Sequence, residues 1–275
     1  MILVTGATGN VGRELVDALV ARGNVVRAIA RNPNVTKLPD GVDVVSADLN
    51  AESLTPALAG IRKAFLLGAF ATLPEILKRL DHAGVEHVVL LTSRCVIGGK
   101  PDNAITRMWL EAETAVRDAS IPWTILRPSG FHSNALRWLP QLRQGNIVRA
   151  PWPHVAIASI DPADIAAVAA TVLTEPGHEH TAHTLSGPEP LTPHEHVATL
   201  ARVLRRPLRY EPLPDADARS QMAADTPAPL IDAFFRFFTD GEFDDSVVVG
   251  TVHDITGREP RTFERWARAH VPAFV

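Results

Sequence analysis

An apolar run, Ile2 to Thr5, leads straight into TGATGNVG, which sets Gly6, Gly9 and Gly12 three residues apart. From Asn10 to Arg22 apolar residues recur at helical spacing, at Val11, Leu15, Val16, Leu19 and Val20. Val25 to Ala30 forms a second apolar run. Strand, glycine bend, helix and strand in that order restrict the chain severely. Two parallel strands joined by a helix need a right-handed crossover and a sheet covered on both faces.

The same pattern continues. Val42–Ser46, Lys63–Leu67, His87–Thr92 and Trp123–Leu126 read as strands, the last closed by Arg127-Pro128. Helices are expected near Ala51, over 72–83 and over 102–119. The fold class is therefore α/β, a Rossmann-type doubly wound parallel sheet with a smaller, mainly helical C-terminal substrate lobe. Residues 1–150 are read as the nucleotide-binding domain and 151–275 as the lobe. The two are interleaved, because the helix of 161–173, with Asp161 as its cap and Pro162 at its first position, is expected to pack on the sheet. Further helices are read over 193–204, 230–238 and 262–270, and a short strand over 183–185. The proline-rich stretch 207–229 reads as a mobile connection or a lid.

A glycine bend between a parallel strand and a helix is an anion site. Backbone N–H groups and the helix dipole converge there. Gly6 permits the sharp exit from the strand, Gly9 the approach of a pyrophosphate, and Gly12 close packing of the helix. Thr8, Asn10 and Val11 belong to the same cradle. At the end of the second strand an NAD enzyme places an acid, whereas this chain has Ala30-Arg31-Asn32. Arg31 offers a charged fork for a 2′-phosphate, so NADP(H) is expected over NAD(H). Arg27 either assists or faces solvent.

The stretch TGATGNVG resembles the atypical short-chain dehydrogenase/reductases. VRAIARNP, SADL, HVVLLTSR, EAETAVRDASIPWTILRPSGFHSN, IDPADIAAVAATVL, HTLSGPEPLT and DITGREPRTFERW narrow the likeness to the NmrA-like group. That group contains NAD(P)H-dependent quinone reductases and redox-sensing regulators. The resemblance implies that Asp48 bonds the adenine amino group, unless it only caps the following helix. Leu49 lies beside it, and Gly68 and Ala69 lie over the adenine-ribose side. It also places Ser93 at the family's serine position, next to Thr92, where the alternative is a serine satisfying nearby backbone.

Most short-chain dehydrogenases pair a tyrosine with a lysine four residues on. The only tyrosine here is Tyr210, and by local matching Ile105 and Trp109 stand in the two places. Neither side chain exchanges a proton at neutral pH. An electron-poor acceptor such as a quinone or polycyclic aromatic metabolite needs less acid help, because the anion it forms is already stable. Hydride transfer to such a small molecule is the expected reaction; a non-catalytic redox sensor acting on a partner protein is the alternative. Pro128, Ser129 and Gly130 are expected along the nicotinamide. Phe131, His132 and Asn134 face the substrate, with Trp109 and Trp152 as aromatic walls. His132 is the substitute proton donor, unless it is structural, and Arg107 the alternative stabiliser of negative charge.

The formal net charge of −4 gives no sign of nucleic acid or of an anionic membrane. No run is apolar enough to span a bilayer, and no signal peptide is read. The single cysteine, Cys95, permits no internal disulfide and fits a cytoplasmic location. Loop histidines show no anchored second set, so no metal is expected. A homodimer is left open.

Overall fold

The computed structural model describes residues 1–30, 38–47, 54–68 and 71–274. In the first half, strands and helices alternate. β1 (Ile2–Val4), α1 (Asn10–Ala21), β2 (Val26–Ala30), β3 (Asp43–Ser46), α2 (Leu54–Ala57), β4 (Lys63–Leu67), α3 (Leu73–His82) and β5 (His87–Leu91) follow one another. Then come α4 (Cys95–Gly98), α5 (Ala104–Arg117) and β6 (Trp123–Pro128). A 3-10 helix, 132–138, leads into α6 (Leu139–Gln144), β7 (Ile147–Ala150), α7 (Pro162–Thr174) and β8 (Thr181–Leu185).

β8 pairs with β6, so the chain returns to the sheet after residue 150. The seven strands run in the order β3-β2-β1-β4-β5-β6-β8, every pair parallel. The order reverses between β1 and β4. At that switch point the crossovers leave in opposite directions and open a crevice at the carboxyl ends of the strands.

Both faces of the sheet are covered, which explains why β1, β5 and most of β6 are buried along their length. On one face lie α1 and α7, packed through Val11, Leu15, Leu19, Ile165, Ala169 and Val172. α7 is rich in alanine, and this lets it approach α1 closely; its Asp161 cap accepts from Ala163 N at 2.9 Å. α2, α3 and α5 cover the other face through Leu54, Leu73, Leu77, Leu80 and Val116.

The rest forms a smaller lobe. α8 (Pro193–Leu204), β9 (Arg209–Pro212), α9 (Asp215–Met222), α10 (Ala228–Phe238), α11 (Thr251–Thr256), α12 (Phe263–Ala269) and α13 (Val271–Phe274) follow β8. Phe263 and Trp266 of α12 pack on Leu200 and Val148, and the 3-10 segment closes the cluster. The stretch 207–229 differs from its expected irregularity. Its first strand, β9, pairs with β7 in parallel, and α9 seats Ala218 against Ile231 and Phe235. Its prolines fall where they cost nothing, in the turns and at the ends of β9 and α10.

Candidate functional site

At the switch point the Thr5 hydroxyl donates to Phe65 O (3.1 Å) and accepts from Leu67 N (2.8 Å). This clamps the ends of β1 and β4 together beneath the glycine bend. Gly6 has φ +62, and a side chain there would run into Leu67. A Cβ on Gly12 would overlap the Gly6 carbonyl. Both positions therefore require glycine for the packing of the bend itself. Gly9 differs: a Cβ would meet Gly6 O at 3.3 Å and nothing else within 4 Å. The space outside it is open.

Gly9 caps α1 without a side chain, and the first turn carries no acid. The amides of Asn10, Val11 and Gly12 consequently have no capping partner and point out of the helix start. A diphosphate fits this cradle by charge and by space. Thr8 and Asn10 are exposed at its rim, and Asn10 Nδ2 donates to Ser133 Oγ at 3.0 Å. Gly68 follows β4 at φ +104, a backbone conformation that favours glycine. Arg31, Asp48, Leu49 and Ala69 lie outside the described residues. Arg27 is committed elsewhere. Its guanidinium bonds Asp43 (2.7 Å) and the carbonyls of Ala57 and Ala59 (both 2.9 Å), near the opposite end of β2.

The second wall is made by β5 and β6. Buried Thr92 donates to Glu113 Oε1 at 3.0 Å. Glu113, itself 3% exposed, is gripped by Arg127 at 2.8 and 2.5 Å and by Arg117 at 3.4 Å. A carboxylate removed from water to this degree survives only with such partners. Ser93 is half-buried, and its Oγ accepts from Cys95 N at 3.4 Å. Arg94 N bonds Pro128 O (2.9 Å), and Ser129 N bonds Leu185 O (2.9 Å), so Pro128, Ser129 and Gly130 are held in place across the strand ends.

Two residues that spacing does not connect meet here. Asp245, 6% exposed, accepts from Gly130 N at 2.9 Å through Oδ2. Arg94 lies 3.7 Å from its Oδ1 and donates to Val247 O at 2.6 Å. Burial raises the Asp245 carboxyl to about 6 despite the Gly130 amide, Ser129 and Arg94, which all favour its charged form. The irregular strap that carries it also ties Ala158 N to Asp245 O (2.8 Å) and Val249 N to Ser186 Oγ (2.9 Å). It crosses the carboxyl ends of β5, β6 and β8. Nothing periodic in FDDSVVV signals this, because an irregular strap has no repeat to read.

The residues expected around a substrate separate into two groups. Phe131 is half-buried and Asn134 exposed, and Asn134 Nδ2 would stand 3.9 Å from a Cβ on Gly130. These two remain beside the loop that follows β6. His132 turns inward instead. It is 1% exposed, with Nε2 donating to Arg261 O at 3.2 Å and Nδ1 at 2.9 Å from the Ser159 hydroxyl. Its ring packs edge-on against Phe263, and desolvation pushes its pKa down to about 4. An imidazole with both nitrogens engaged inside an aromatic core has no free proton to offer.

Arg107 is exposed on α5. Trp109, from the same helix, packs against the cluster of Cys95, Ile105, Ala233 and Phe237, the last two from α10. Trp152, held at φ 56, packs on Phe235 and Phe238 and donates from Nε1 to Thr239 Oγ1 at 3.0 Å. Both tryptophans thus brace α10. The lone tyrosine, Tyr210, donates to Ala150 O at 2.9 Å in the β7–β9 pair, away from the crevice.

A parallel sheet with a diphosphate cradle at its switch point defines a class, the dinucleotide-binding α/β proteins. The chain belongs to the NAD(P)H-binding family, whose model matches residues 6–176. It is 41% identical to the (4-alkanoyl-5-oxo-2,5-dihydrofuran-3-yl)methyl phosphate reductase of Streptomyces griseus, with 100% of this chain and 99% of that protein covered. It is 32% identical to the NAD(P)H azoreductase of Xenophilus azovorans, over 100% of this chain and 99% of the relative. Among solved structures, the NADPH-dependent quinone oxidoreductase QOR2 of Escherichia coli in complex with NADPH superposes with a TM-score of 0.79. The identity there is 25%, over 98% of this chain and 99% of that one. The protein is a reductase of this NAD(P)H-binding family, and its relatives act on small molecules. Among the described residues no helix is long and apolar enough to cross a membrane.

Proposed function

We propose that the protein is an NADPH-dependent reductase that transfers hydride to a small, electron-poor acceptor: a quinone, a polycyclic aromatic metabolite or a doubly activated enone. One observation carries this reading. A diphosphate cradle with open space at Gly9 opens into the crevice, and α5 carries Ile105 and Trp109 where local matching expects the usual proton-transferring pair. NADPH supplies the hydride when bound. The chain's part is to hold the cofactor, orient the acceptor over the 128–130 loop and exclude water.

The relatives support the acceptor class. The name of the Streptomyces griseus enzyme describes a ring double bond conjugated with both a lactone and a ketone carbonyl. Such a bond accepts hydride to give an enolate spread over two carbonyls, and a quinone gives a stable phenolate. In both cases the anion forms with little acid assistance. Arg31, with no acid at the end of β2, favours the phosphorylated cofactor. Ser93, at the end of β5, donates to the acceptor carbonyl or the nicotinamide ribose.

The test is NADPH consumption against a panel of quinones and acyl-butenolides, with 4-deuterated NADPH to follow the label. The reading predicts deuterium retained on the β-carbon of a reduced acyl-butenolide, a primary isotope effect on NADPH consumption with quinones, and rates that rise with acceptor potential. Turnover of saturated ketones but of no quinone or enone would overturn it.

A further inference from the structure

The crevice contains one acid that the reading above leaves without a task. Asp245 and Ser129 are 6% and 3% exposed, and both lie at the end of β6. Asp245 Oδ2 is taken up by the Gly130 amide at 2.9 Å. Asp245 Oδ1 and Ser129 Oγ complete no hydrogen bond of good geometry, although the Ser129 side chain lies beside the carboxyl. Two buried polar atoms without a hydrogen bond are costly unless one carries a proton to share or a ligand completes the set. The charged groups around the carboxyl are Arg94, at 3.7 Å from Oδ1, and Asp244, which disfavours its ionisation.

We infer that Asp245 is the proton reserve of this reductase, and that Ser129 relays its proton to the reduced acceptor. The inference rests on the hydride-transfer reading above. With Oδ2 bound to an amide, the acid proton sits on Oδ1. The acceptor gains two electrons and a hydrogen as hydride from NADPH, and so becomes an enolate or phenolate. The Ser129 O–H bond breaks as its proton passes to that anion. The Asp245 Oδ1–H bond breaks in turn to restore the hydroxyl. The carboxylate left behind faces Arg94 and the Gly130 amide, and regains its proton from solvent before the next turnover. A donor of this kind replaces the missing tyrosine from the opposite side of the sequence: it comes from the C-terminal strap, not from α5.

Burial holds the Asp245 carboxyl near 6, so its proton is present at mildly acid pH and is lost as pH rises through that value. The geometry also gives separate duties to the two oxygens. Asp245→Asn keeps an acceptor for Gly130 N and loses only the acid proton, which makes it the informative variant.

Three measurements test the inference. Infrared difference spectra of the cofactor-free protein, titrated across about pH 6, should show a protonated-carboxyl band that Asp245→Asn lacks. With a quinone acceptor, wild-type kcat should fall as pH rises through the same region. In Asp245→Asn kcat should drop about 10- to 100-fold and lose that pH dependence, with KM for NADPH within about twofold of wild type. Ser129→Ala should lower kcat similarly while keeping the infrared band. If the band persists in Asp245→Asn, or that variant keeps the wild-type rate and pH profile, the inference fails and the reductase reading stands. If the wild type reduces no acceptor, both fail together.

Discussion

Asn10, at the first position of α1, and Ser133, in the 3-10 segment after β6, are hydrogen-bonded at 3.0 Å. This bond joins the start of α1 to the segment that follows β6. It couples the two halves of the crevice through side chains outside the sheet. We expect Asn10→Ala and Ser133→Ala each to weaken NADPH binding about two- to tenfold, and the double variant to weaken it little further. A double-mutant cycle on calorimetric affinities should give a coupling of about 0.5–1.5 kcal/mol. Additive losses would mean that the bond does not align the cradle.

Arg31→Ala should reduce NADPH affinity about tenfold or more and leave NADH affinity nearly unchanged, since only the former carries a 2′-phosphate. Equilibrium titration of both cofactors checks this. Equal effects on the two would assign Arg31 to the fold and leave the cofactor preference without its residue.

Two buried histidines set the acid response of the fold. Burial pushes both His132 and His87 down to about 4 from the ordinary 6.5. The unfolded chain therefore binds more protons than the folded one between these values. Stability should rise with pH from about 4 to 6.5 and then level off, with a span on the order of 3 kcal/mol per histidine. Asp245 works in the opposite sense over about 4 to 6, because its carboxyl is raised. Urea midpoints measured across this range should increase with pH, and His132→Gln should flatten the slope. A midpoint independent of pH in the wild type would contradict the burial of these rings.

Glu113 is the keystone between Thr92, Arg117 and Arg127. Glu113→Ala strands Arg127 beside an emptied site and should cost about 3–5 kcal/mol in unfolding free energy. Glu113→Gln retains acceptor and shape and should cost less. If both variants unfold at the wild-type denaturant midpoint, the network contributes nothing measurable.

How much of this was readable before the structure depends on the range of the contacts. The period of two buried strands and of α1 is a local property, so the run from Ile2 to Ala21 announces both the elements and the bend between them. Gly12 carries a local signature for the same reason, since the atoms that exclude a side chain there belong to Gly6 and Ala7, whereas the Leu67 side chain that excludes one at Gly6 comes from β4. His132 was harder. A histidine four residues past a strand end resembles a donor in the crevice, whereas Phe263 and Trp266, brought from α12, enclose it. The pairing of β7 with β9 escaped because prolines there suggested irregular chain, whereas a short parallel pair accommodates them at its ends. Arg94 and Asp245 share no period and no motif. Their meeting is a product of the strap laid over β5, β6 and β8, and long-range placement of that kind has no local signal.

Gly9 decides whether the bend after β1 admits a diphosphate. Its amide-lined space is open, and a methyl group there meets the fold only at Gly6 O, 3.3 Å away. Isothermal titration of NADPH into the wild type and Gly9→Ala, with thermal melting as a folding control, isolates the cradle from the rest of the chain. We predict an unchanged melting temperature within about 2 °C and an affinity at least about 100-fold weaker in the variant, the loss set by a backbone that phosphate can no longer approach. A folded Gly9→Ala protein that binds NADPH as tightly as the wild type would contradict the central claim.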